Sequence, residues 1–150
     1  MAENAAGYQN VLLATDLAET ADQVAARALR LAQQGGARIS LVHVVEYVPV
    51  EFPSEVVLPS DFELEEHLVR QAAQRLKRFA EDHGLGDAKR HVEVGATKYE
   101  ILRVAEENGI DLIVIGSHSR SGFARLLGST ANAVLHGAPC DVLAVRVRRE

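Results

Sequence analysis

The residues best suited to chemistry are the small and polar ones of Gly116-Ser117-His118-Ser119-Arg120-Ser121-Gly122 and of Gly128-Ser129-Thr130. Glycine lets a backbone approach a ligand closely, and consecutive amides leading into a helix surround phosphate oxygens with donors. Ser129 or Thr130 can add a hydroxyl donor or cap the helix that follows. The same composition also makes ordinary connectors, and both readings stay open on the residues alone. No GxxxxGK followed by Ser or Thr occurs, which argues against a P-loop NTPase. Asp16 offers a second group: its carboxylate can accept from a ribose or help hold a metal-associated phosphate, or it can simply complete a turn. Arg120 and Arg125 can assist phosphates through charge-assisted bonds or face water.

Other reactive residue types are scattered. His43 sits in a predicted strand and reads as a packed or hydrogen-bonded histidine. His67, His83, His91 and His136 form no metal-ligand pattern with Cys140, and no Ser-His-Asp arrangement follows from the presence of those types. His118 lacks a placed base partner. We therefore expect no catalytic residue and no metal ligand. The single cysteine excludes an internal disulfide and points to a reduced compartment.

The elements that must position these groups follow from periodicity. Val11-Leu12-Leu13-Ala14 reads as a strand, and helical spacing of Val24, Ala28, Leu31 and Ala32 predicts a helix over about Thr20 to Gln34, stopped by Gly35-Gly36. Arg38 to Val45 restarts the strand pattern, and Pro49, Pro53 and Pro59 then mark a linker able to form a lid. Asp61 to His83 reads as a long charged helix ended by Gly84 and Gly86. His91 to Val94 is a short strand, followed by a helix to Asn108 in which Thr97 and Glu100 have capping-box spacing. Asp111 to Ile115 is a buried strand, Ser129 to His136 a helix, and Val142 to Val147 the last strand.

That alternation predicts an α/β fold, a five-stranded mainly parallel Rossmann-like sheet with helices on both faces, in one domain spanning residues 1–150. Ligands of such sheets approach the carboxyl ends of strands. Ala14-Thr15-Asp16, His43-Val44 and Ile115-Gly116 would converge there. The length of 150 residues suits a compact unit that buries about 70% of its extended-chain surface without staples. A net charge of -5 without a basic block argues against a nucleic-acid or anionic-membrane surface. The polar start MAENAAGYQN lacks the pattern of a secretion signal and no run approaches a membrane span, so the expectation is a cytoplasmic protein with no membrane partner.

The segments VLLATD, ISLVHVVE and DLIVIGSHSRSGFARLLGSTANAVLHGAPCDVLAVR together resemble the universal stress protein, or UspA, family, from Val11 to Val147. The resemblance implies a Rossmann-like homodimer associated with stress adaptation, which also engages a protein partner of unknown identity. It places Ala14, Thr15, Asp16 and Val44 beside an adenine and ribose, and Ile115, Gly116, Ser117, His118, Ser119, Gly128, Ser129 and Thr130 on the phosphate side. ATP or another adenine nucleotide, with Mg2+ accompanying ATP, is the implied ligand. Nucleotide-binding members carry Gly, two residues, Gly, nine residues, then Gly and Ser or Thr. Here Ser119 stands at the second glycine and eight residues separate it from Gly128. The alternative expectation is thus a stress-related interaction protein that works without nucleotide. In either case the C-terminal strand, if an edge, would pair two copies.

Overall fold

The computed structural model describes residues 7–46, 61–117 and 127–148. Its elements run β1 (Asn10–Ala14), α1 (Ala21–Gly35), β2 (Arg38–Val45), α2 (Asp61–Asp82), β3 (Lys89–Val94), α3 (Thr97–Glu107), β4 (Leu112–Gly116), α4 (Ser129–Gly137) and β5 (Asp141–Val145). The five strands form one sheet of order β3-β2-β1-β4-β5, with every neighbouring pair parallel. The proline-containing segment from Tyr47 to Ser60, expected as a possible lid, lies outside the described residues.

Alternation along the strands divides the core into two layers, since successive side chains point to opposite faces. Val11 and Leu13 of β1, Leu41 of β2 and Leu112 and Val114 of β4 pack against Val24, Ala25 and Ala28 of α1 and Leu76 and Ala80 of α2. Leu12, Val42, Val44, Ile113 and Ile115 face the other way, onto Ile101 and Val104 of α3 and Ala131 and Val134 of α4. Two helices therefore cover each face. This is why the three central strands read as unbroken apolar runs.

Side chains fix the ends of the sheet. Asp111, just before β4, accepts from the amides of Gln9 and Asn10 at 2.8 and 2.9 Å, so one carboxylate sets where β1 starts beside β4. Tyr8 donates to Asp141 at 2.7 Å, and that carboxylate raises the phenol's pKa. Past β5 the chain is held differently. The Gln23 amide donates to the Arg148 carbonyl at 2.7 Å while its oxygen accepts from the Arg148 amide at 2.9 Å. The last strand is accordingly shorter than its sequence pattern, because β4 ends at Gly116, the partner of Val145.

The helix at Thr97 starts in a way the local spacing does not show. Ala96, with extended backbone, occupies the N-cap position and Thr97 is the first helical residue. Glu46 supplies the cap instead: one carboxylate oxygen accepts from the Thr97 amide at 3.1 Å and from its hydroxyl. Glu100 turns to Arg103 and does not reach back, so the capping box is not formed. The Thr97 bonds hold the Glu46 carboxyl below its ordinary pKa. Its stabilisation is therefore complete above the unfolded value and is lost as pH falls through the lowered one. Glu46→Ala should cost about 0.5–1 kcal/mol at pH 7, as expected for losing an exposed cap. The difference between the two proteins in urea unfolding should shrink as pH falls below the ordinary carboxylate range, and a difference that stays constant from neutral pH into that acid range would refute the assignment.

Candidate functional site

The carboxyl ends of β1, β2 and β4 open onto a cleft of about 550 Å³, within the range of small-molecule sites. It lies where the chain order reverses, with β1 between β2 and β4.

The wall after β1 is a turn held by its own side chains. The Thr15 amide donates to Val42 at 3.0 Å, which continues the strand by one residue. Leu17 then adopts a left-handed backbone with φ of 58°. Such a conformation costs a non-glycine residue about 1–2 kcal/mol. Three contacts offset it: the Leu17 side chain packs on the apolar core, its amide donates to Thr15 Oγ1 at 3.1 Å, and the Ala18 amide donates to Asp16 Oδ1 at 2.9 Å. Asp16 thus completes the turn with one oxygen while lining the cleft.

His43 braces the same turn from β2. Its Nδ1 lies 2.9 Å from the Thr15 carbonyl oxygen, which can only accept, so Nδ1 carries the proton. Burial pushes the imidazole pKa down, with the nearby Arg75 charge acting in the same direction and the Thr15 bond opposing both. The ring is neutral at pH 7, leaving Nε2 as an acceptor.

The opposite wall joins β4 to α4. The Ser117 amide donates to Val145 at 2.8 Å, and the Gly128 amide donates to the Ser117 carbonyl at 2.6 Å. The second bond brings the two ends of the glycine- and serine-containing segment together, and the first ties them to β5. Gly128 is the N-cap of α4, and no side chain among the described residues caps that helix. Its first amides lack intrahelical partners, and the helix dipole adds positive potential where Gly128, Thr130 and Ala131 line the cleft. The Ser117 hydroxyl is buried with no hydrogen-bond partner among the described residues. Between the walls, Val42, Val44, Ile101 and Ile115 supply an apolar floor.

Of the residues expected at a ligand site, Ala14, Thr15, Asp16, Val44, Ile115, Gly116, Gly128 and Thr130 line this one cleft. Ser117 and Ser129 flank it, while His118 and Ser119, with Arg120 and Arg125, lie outside the described residues. His43 lines it too, as its place beside Val44 at the end of β2 led us to expect, and the structure adds Glu46 and Thr97, and Gln71 and Arg75 from α2. Nothing local marks Arg75, which arrives through the packing of α2.

Cys140 is half-buried, and burial followed by the Asp141 charge raises its thiol pKa, a packed thiol rather than an activated one. Among the described residues no group of three or more His, Cys, Asp and Glu could hold a metal ion. No described helix is long and apolar enough to cross a membrane.

A parallel sheet of order 3-2-1-4-5, two helices on each face and a cleft at the switch point define a Rossmann-like α/β protein. The chain belongs to the universal stress protein family, whose model matches residues 7–146. It is 37% identical over 138 residues to universal stress protein A homolog 1 of Coxiella burnetii, covering 92% of this chain and 96% of that one. The universal stress protein UspA from Lactobacillus plantarum is similar in structure, with a TM-score of 0.72 and 26% identity over 93% of this chain and 98% of that one. A universal stress protein solved in complex with cAMP is similar at a TM-score of 0.58 and 26% identity, covering 92% and 96% of the two chains.

Proposed function

We propose that this universal stress protein binds an adenine nucleotide in the cleft and acts in the cytoplasm as a homodimeric regulatory protein of stress adaptation. The observation that carries the reading is the pairing of an apolar floor with an uncapped helix N-terminus at a topological switch point. A base needs the first, and phosphates need the second. Thr15, Asp16 and the backbone of Val44 would border adenine and ribose. Gly116 and the amides from Gly128 to Thr130 would receive the phosphates, with Mg2+ entering alongside ATP. The adenine-containing ligand of the cAMP-bound relative supports the class of ligand. The proposed role is recognition, and hydrolysis is not part of it. Dimerisation is assigned to β5, which among the described residues is an edge strand with β4 as its one neighbour and would offer its outer backbone groups to a second copy.

The test is calorimetric titration of nucleotide-stripped, folded protein with ATP and with cAMP, with and without Mg2+, bound nucleotide being checked by mass spectrometry. Saturable binding is expected. Absence of heat up to about millimolar ligand, a range in which binding of ~4 kcal/mol would register, would overturn the reading. Ser119 and the shortened interval before Gly128 favour the second reading, a nucleotide-independent interaction protein. It predicts dimerisation and partner binding that stripping the nucleotide leaves unchanged.

A further inference from the structure

A second concavity, of about 530 Å³, lies away from the cleft between α2 and the outer edge of β3. Its floor is apolar, made by Ala73, Leu76, Ala88 and Val92, and three cations face it, Arg70 and Lys77 from α2 and Arg90 from β3, while Lys89 stands at its rim with its side chain turned to the end of α3. No carboxylate is among its lining residues, in a chain whose net charge is -5. Arg70 pairs with Glu66 at 3.2 Å, an exposed pair of little strength. Lys77, Lys89 and Arg90 form no ion pair among the described residues. Lys89 donates to the Asn108 side chain at 3.3 Å and Arg90 to the Gly86 carbonyl at 3.1 Å, both neutral acceptors.

Among the described residues, the backbone beside these cations has one strand neighbour. β3 pairs with β2 and ends the sheet, so its outward amides and carbonyls can template another strand. The two faces of that edge differ in charge. Arg90 and Val92 point to the α2 side, whereas Lys89, which bonds Asn108 at the end of α3, and Glu93, which lies with Glu100 and Glu107 around Arg103, point to the α3 side. An added strand would present alternate side chains to these two faces.

We propose that this groove docks an extended acidic peptide segment of a partner protein along the free edge of β3, with carboxylates at every second position facing α2. Main-chain bonds to the edge would supply affinity and the cations would select the occupant. A second copy docked by the same groove would bring like charges against these cations. Single-stranded nucleic acid fits less well, because no aromatic side chain lines the groove to stack on its bases. The inference does not depend on nucleotide binding in the cleft, which shares no lining residue with the groove.

The test is fluorescence anisotropy with a fluorescein-labelled heptapeptide of alternating Thr and Glu at low salt. The comparisons are the same peptide with N-methylated backbone amides and a thymidine oligonucleotide of equal charge. Saturable binding of the alternating peptide is expected. It should weaken about tenfold or more on Lys77→Glu/Arg90→Glu, on backbone methylation, and as salt is raised to ~0.5 M. Thermal unfolding establishes that the double variant is folded, and Lys77→Glu alone, which removes no described hydrogen bond, provides the same comparison. Four results would each overturn the proposal: no saturation at about millimolar protein, equal binding by folded variants, equal binding by the methylated peptide, or tighter binding of the oligonucleotide.

Discussion

Gly128→Asp should weaken ATP binding about thirtyfold while leaving the protein as stable as before or slightly more so. The two effects have opposite sign for one physical reason. Gly128 is the N-cap of α4 with φ of -59° and ψ of 150°, a conformation open to any residue, and no side chain among the described residues caps the helix. Aspartate is among the best N-cap residues, and gains a few tenths of a kcal/mol over glycine there. Its carboxylate would occupy the amides proposed to receive phosphate and repel the ligand's own charge. Two like charges at 4 Å interact by about 4 kcal/mol at an effective dielectric of ~20. Exposure of Gly128 and salt reduce this to roughly 2 kcal/mol, or about thirtyfold. Calorimetry measures the first effect and thermal unfolding the second. Unchanged affinity in a folded variant would remove the phosphates from this helix end.

The largest stability effect is expected at Ile113. This residue is fully buried in β4, paired with Leu12 on one side and Val142 on the other, and packed in the layer under α3 and α4 with Val104 and Val134. With strands on both sides and helices above, little can move into the space that a truncation leaves. Ile113→Ala should therefore cost about 3–4 kcal/mol, in the upper part of the range for large-to-small core changes. For a domain of this size that corresponds to a fall in Tm of roughly 10 °C. Ile113→Val, which removes one methyl group, should cost about 1 kcal/mol. Urea midpoints of the three proteins give the comparison. A loss below about 1 kcal/mol for the alanine variant would mean that the layer can collapse around the site.

The order of elements was legible because each strand that β1, β2 and β4 form is covered on both faces and so writes itself as an apolar run. The charged strand β3 was legible only from His91 onward. Lys89 and Arg90 carry no strand signature, and they are paired because Ser40 and Leu41 lie beside them. At the other edge the pattern of Val142 to Val147 ran past the true end of β5, since alternation cannot register that β4 has ended. Much of the cleft followed from position alone: Thr15, Val44, Gly116 and Gly128 sit where strands end and α4 begins. What stayed hidden depends on contacts distant in sequence. Glu46 caps a helix 51 residues away, and Arg75 donates to the Leu17 carbonyl at 3.4 Å from the middle of another helix. No local spacing encodes such contacts. The capping-box reading failed because the acceptor is Glu46, the residue just past β2.

The strand order also has a consequence for synthesis on the ribosome. β1 is the first strand made, yet one of its two neighbours, β4, is about a hundred residues further along the chain. Until Leu112 to Gly116 emerge, the nascent chain carries β1 with a bare edge and with Val11, Leu12 and Leu13 missing half of their cover. A product truncated anywhere between β3 and β4 would keep that edge for good. Such fragments should co-sediment with aggregates or recruit chaperones, whereas chains extending through β5 should not.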